Sequence, residues 1–143
     1  MAATASILVP VDGSANSDRA VLHAVALAKA GFADTLHILN VQPSVGSLVS
    51  TFIARADIDA YHREEGEKAI ASALKLCADA GVKAEPHIGV GRPGQIVADF
   101  ARKLGARQVV IGTRGHGGIA GMVMGSVAQD VIGHVDVPLC LVK

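Results

Sequence analysis

Short apolar runs rich in Val, Ile and Leu alternate with stretches of helical period along this chain, and no other feature restricts its fold so strongly. The runs are Ile7–Val11, Leu36–Val41, a weaker Ala84–Val90, Gln108–Ile111 and Val137–Val142. The first and the fourth are apolar at successive positions, so both of their faces must be covered, as in the central strands of a parallel sheet. Strands that alternate with helices give an α/β fold with crossover connections. A chain of 143 residues, half of them apolar, can bury such a core unaided, and no linker, repeat or low-complexity tract divides it. The expectation is a single domain over residues 1–143.

Between the runs, Ser14 is placed to cap a helix that carries Val21, Ala24, Val25 and Ala28 on one face and stops at Gly31. A second helix is expected from about Ala54 to Ala80, burying Ile70, Ala73, Leu74 and Cys77 ahead of Gly81. A third carries Ile96, Val97, Phe100, Ala101 and Leu104 before Gly105, and the last carries Val127, Ala128, Val131 and Ile132 before Gly133. Glycine thus stands just past the end of each of the four helices. The stretch Pro43–Thr51 has no clear period and reads as a mobile loop or a loose helix start.

Lys plus Arg and Asp plus Glu number 13 each, so no net positive field exists to hold a polyanion or an anionic membrane, and nucleic acid is excluded as an expected partner. No stretch approaches the length of a membrane span, and the start of the chain lacks the charged region of a signal peptide. Cys77 and Cys140 show no ligand spacing and read as buried thiols of a reducing cytosol. Cytoplasmic residence is therefore expected.

Two glycine patterns point to chemistry. Gly89-Val-Gly-Arg-Pro-Gly94 matches GxGxxG, but it follows the third run rather than opening the domain. The position some twenty residues on, where an acid would meet a ribose, holds Val110, Ile111 and Gly112. A tight strand-to-helix turn with Pro93 at the helix start is the better reading. The second pattern is Gly112-Thr-Arg-Gly115, then nine residues, then Gly125-Ser126-Val127. The first glycine pair leaves a buried strand and the third opens a helix, which gathers backbone N–H groups and a positive helix end where a phosphate could sit. Asp12, at the end of a central strand, stands where open α/β sheets bind ligands; a turn or cap aspartate is its alternative.

In these residues the chain resembles the universal stress protein family, whose ATP-binding branch is marked by G-x2-G-x9-G-[ST]. Gly112, Gly115, Gly125 and Ser126 reproduce that spacing, joined by the first-strand sequence Ile7-Leu-Val-Pro-Val-Asp-Gly-Ser14, the turn Gly91-Arg-Pro93 and the closing VPLCLV run. The resemblance implies an open five-stranded parallel sheet ordered 3-2-1-4-5 with helices on both faces, a Rossmann-like fold of the adenine nucleotide alpha hydrolase type. It implies that Asp12 and the backbone at Val41 read an adenine, with Pro10 and Val11 lining its pocket. Gly112 and Gly115 would approach the ribose and phosphates, and Gly125, Ser126 and Val127 would hold the phosphates. The spacer contains Gly117, Gly118 and Gly121 and no carboxylate, so it should be mobile when empty, and magnesium would be held mostly by phosphate and water. A homodimer through Val137 to Val142 is also implied, since that run carries charge only at its ends, in Asp136 and Lys143.

Neither a GxxxxGK[ST] loop nor a GxSxG or HExxH motif occurs, and the histidines do not cluster in sequence. They read as separately satisfied or solvated rings. The function expected is that of an ATP-binding regulator of a stress response without efficient turnover. A nucleotide-independent stress or adaptor protein and a weak ATPase are the alternatives.

Overall fold

The structure, a computed structural model, describes residues 4–114 and 124–143. The elements in chain order are β1 (Ser6–Pro10), α1 (Ala15–Lys29), β2 (Thr35–Gln42), α2 (Ser47–Phe52), α3 (Arg55–Asp79), β3 (Lys83–Val90), α4 (Pro93–Leu104), β4 (Gln108–Gly112), α5 (Ser126–His134) and β5 (Leu139–Val142). All strand pairs are parallel and the sheet order is β3-β2-β1-β4-β5.

The strands read from the sequence sit where their composition demands. β1 is buried at every position, because alternate side chains feed separate cores on the two faces of the sheet. Ile7 and Val9 join Val21, Ala24 and Val25 of α1 and Ile70, Ala73 and Cys77 of α3. Leu8 joins Val97 and Ala101 of α4 and Val131 of α5 on the other face. Cys77 is fully buried, and loss of solvation pushes its thiol pKa up, which keeps it inert. Cys140 is only half-buried, contrary to expectation, because β5 is an edge strand that pairs only with β4 among the described residues.

Three helix ends follow the glycine rule. Gly31, Gly81 and Gly105 all have positive φ. At Gly105 the backbone turns back so that Ala106 N–H reaches the Ala101 carbonyl and Gly105 N–H the Arg102 carbonyl. The fourth does not: α5 continues through Gly133 to His134 and leaves by an extended Val135, so Gly133 is an interior helix glycine. The stretch after Pro43 forms the short helix α2, none of whose residues is buried. Leu48 and Phe52 on it are 71% and 79% exposed. Among the described residues no helix is long and apolar enough to cross a membrane.

Candidate functional site

The order β3-β2-β1-β4-β5 reverses direction between β1 and β4. β1 is followed by α1 on one face and β4 by α5 on the other, the topology in which open α/β sheets place a ligand crevice at the C-terminal strand ends. Register places the expected residues around it. Pro10 pairs with Leu39, and two further residues along each segment bring Asp12 opposite Val41. On the other side Leu8 pairs with Val109, so Asp12 falls opposite Thr113. Leu39 accepts from Val11 N–H at 2.8 Å. Alternation along β2 therefore turns the peptide groups of Val41 to the same edge, beyond the point where β1 ends.

Asp12 is half-buried and Val11 buried at the mouth of this crevice. Asp12 Oδ1 accepts from Ser14 N–H at 2.9 Å, and Ser14 Oγ in turn accepts from Ser17 N–H at 3.2 Å. The first bond closes an aspartate turn and the second caps α1, so the structural role of Asp12 coexists with its position at the crevice.

At the far wall, Gly125 is the N-cap of α5, with φ −74° and no side chain to cap the helix. Its own N–H is taken by the Thr113 carbonyl. The donors of the first turn are the N–H groups of Ser126 and Val127, which have no carbonyl within the helix to bond, and both residues are exposed. Thr113 Oγ1 is buried and has no hydrogen-bond partner among the described residues. Gly115 and the spacer glycines Gly117, Gly118 and Gly121 lie outside the described residues.

Gly112 is required for a reason the sequence did not disclose. A Cβ there would lie 2.5 Å from Asn16 Oδ1 and 3.1 Å from the Asn16 carbonyl. Asn16, 5% exposed, accepts from Arg114 N–H at 2.6 Å and donates to the Val142 carbonyl at 3.2 Å, tying α1 to the exits of β4 and β5. Asn40 likewise donates to the Val11 carbonyl at 2.8 Å, holding the end of β1 against β2. Neither asparagine stands in a recognisable motif; a polar residue at a core-facing position was the signal available. The GxGxxG glycines have local causes too. A Cβ at Gly89 would meet Ile96 at 2.6 Å, Gly91 takes φ 144°, and Gly94 lies against Asp130 of α5.

One expectation about the histidines fails. His37 of β2 and His87 of β3 meet, with Nδ1 and Nε2 3.0 Å apart, and Glu85 Oε2 lies 3.4 Å from His37 Nδ1. Burial lowers the pKa of both rings, opposed at each by the Glu85 carboxylate. The separate reading holds for His62, bonded to the Pro43 carbonyl, and for His134, bonded to the Asp130 carbonyl.

A family model described as the universal stress protein family matches residues 4–143. Universal stress protein MJ0531 of Methanocaldococcus jannaschii is 32% identical over 96% of this chain and 81% of its own length. Among solved structures, that of the protein MJ0577 superposes with a TM-score of 0.83 at 25% identity, covering 98% of this chain and 96% of the other. A universal stress protein solved in complex with cAMP gives a TM-score of 0.70 at 28% identity, covering 99% of each chain.

Proposed function

The chain belongs to the universal stress protein family, and from that premise we propose that it binds ATP in the crevice between β1 and β4 and serves as a nucleotide-dependent regulator of a stress response. The observation that carries this reading is the registry of Asp12 between Val41 and Thr113, with the N-terminus of α5 at the same end of the sheet. A carboxylate beside exposed strand-end peptide groups suits the exocyclic amine and ring nitrogens of adenine. The N–H groups of Ser126 and Val127 and the Thr113 hydroxyl, without a partner among the described residues, suit phosphate oxygens. The relative crystallised with cAMP supports an adenine nucleotide as the ligand class. Magnesium would enter on the phosphates, its remaining positions filled by water.

The test is ligand-induced stabilisation in the wild type and in Gly125→Val. The φ of −74° at Gly125 is open to any residue, so the variant should fold while its branched side chain blocks the approach to α5. Mg-ATP at a hundredfold excess over Kd should stabilise the wild type by about 2.7 kcal/mol and the variant by much less. An equal rise in both removes the phosphates from α5. Turnover slower than about one per second is expected in the same samples, since among the described residues Asp12 is the one carboxylate at the C-terminal strand ends, and it sits at the adenine side. Faster steady hydrolysis would make the protein an enzyme.

A nucleotide-independent adaptor is the second reading, favoured by the exposed apolar residues Leu48, Val49, Phe52 and Ile53 at α2. The regulator reading also includes a homodimer through β5. The strand begins at Leu139 rather than Val137, because Pro138 precedes it, and it pairs only on the β4 side among the described residues. Leu141 is 37% exposed there. Light scattering should give the mass of a dimer for the wild type and a monomer for Leu141→Lys; a wild-type monomer at tens of micromolar would contradict it.

A further inference from the structure

We propose that His37 Nδ1, His87 Nε2 and Glu85 Oε2 form a binding site for a zinc-class divalent ion on one face of β2 and β3, apart from the nucleotide crevice. Nothing in the ATP reading requires it, and it stands or falls independently. The placement follows from register: His37 pairs with Glu85 and Leu39 with His87, so all three side chains leave the same face of the sheet on adjoining rungs. That face is the one α4 covers, and Phe100 of α4 meets the His87 ring edge-on at a centroid distance of 5.6 Å, which fixes the ring. His37 is buried on an interior strand and is equally constrained.

The three ligand atoms lie within 4.8 Å of one another. A tetrahedral centre with ligands at about 2.0–2.1 Å has ligand-to-ligand edges of about 3.3 Å. The measured edges at His37 Nδ1 are 3.0 Å to His87 and 3.4 Å to Glu85. Two imidazole nitrogens and one carboxylate select zinc and its neighbours over magnesium or calcium. Glu85 and His87 are half-exposed, so water can complete the fourth position.

Hydrogen bonding among these groups is a poorer account of the cluster. If His87 donates to His37 Nδ1, the Glu85 carboxylate faces the lone pair of the same nitrogen at 3.4 Å. If His37 Nδ1 carries the proton, one N–H serves two acceptors. Lys83 relieves little of this, for it lies 3.6 Å from the other oxygen, Oε1, on the exposed side. A cation at the centre satisfies all three lone pairs and clamps the edge strand β3 to β2.

The full chain, stripped with a chelator, should be titrated with zinc chloride against a chromophoric chelator, with cobalt absorption as a check on coordination. One equivalent of zinc with tetrahedral cobalt bands is expected, and His87→Ala and Glu85→Ala should each weaken binding by at least about tenfold. His134→Ala, at the end of α5 and against Gly94 at the start of α4, should bind as wild type. No zinc uptake by the wild type overturns the proposal. So does unchanged affinity in Glu85→Ala, whose half-exposed side chain can be removed without disturbing the core.

Discussion

Gly112→Ala is expected to lower folding stability by about 2–3 kcal/mol, although it adds a single methyl group at the end of a strand. The new Cβ has no room: Asn16 Oδ1, Cγ and the Asn16 carbonyl stand at 2.5, 2.9 and 3.1 Å. Asn16 cannot withdraw without giving up the bond from Arg114 N–H, itself a loss of about 0.5–1.5 kcal/mol. Val142 would suffer less, because its carbonyl keeps a 2.9 Å bond from Thr113 N–H. Urea unfolding of Gly112→Ala, Asn16→Ala and the double variant measures this directly. The two changes should be strongly non-additive, since removing the Asn16 amide relieves the clash. Additive effects, or a Gly112→Ala protein as stable as wild type, would show that the glycine answers to something other than Asn16.

Gly94→Ala should cost about 3 kcal/mol, for an analogous reason on the other face. Gly94 is buried where α4 crosses α5, and its N–H donates to Asp130 Oδ2 at 2.7 Å. A Cβ there would overlap the Asp130 carbonyl and approach His134 Nδ1 to 2.6 Å, and the backbone of α5 cannot rotate away as a side chain can. Displacing α5 also moves its N-terminus, so the stabilisation by Mg-ATP should fall together with the melting temperature. Gly133→Ala provides the contrast. Its Cβ would meet nothing within 4 Å and its φ is not positive, so alanine there should stabilise the helix by about 0.5–1 kcal/mol. A destabilised Gly133→Ala would mean that the helix does end at that residue, as the glycine pattern alone implies.

The contrast between Gly112 and Gly133 marks how far the sequence could be read. β1 and β4 were legible because burial on both faces leaves an unbroken apolar run, and three helix ends were legible because a left-handed turn favours glycine. The placement of Asp12, Val41 and Ser126 at one end of the sheet was legible because strand ends and a helix start determine it. Close approaches between distant parts of the chain leave no local trace. Asn16 and Gly112 are far apart in sequence and belong to no shared motif, so the glycine invited a ligand explanation where a neighbouring side chain suffices. His37 and His87 were separated for the same reason. Parity along β3 puts Glu85 and His87 on one face, but only the pairing of β3 with β2 brings His37 to them.

The account rests on an adenine nucleotide held between Asp12 and the N-terminus of α5, and titration calorimetry tests that most directly. Mg-ATP and Mg-GTP should be compared on the wild type and on Asp12→Ala, with the fold of each checked by circular dichroism. The account predicts one site per chain, ATP bound at least about tenfold more tightly than GTP, and most of that preference lost in the variant. Equal affinity for the two nucleotides, an unchanged preference in Asp12→Ala, or no heat of binding from the wild type would contradict it.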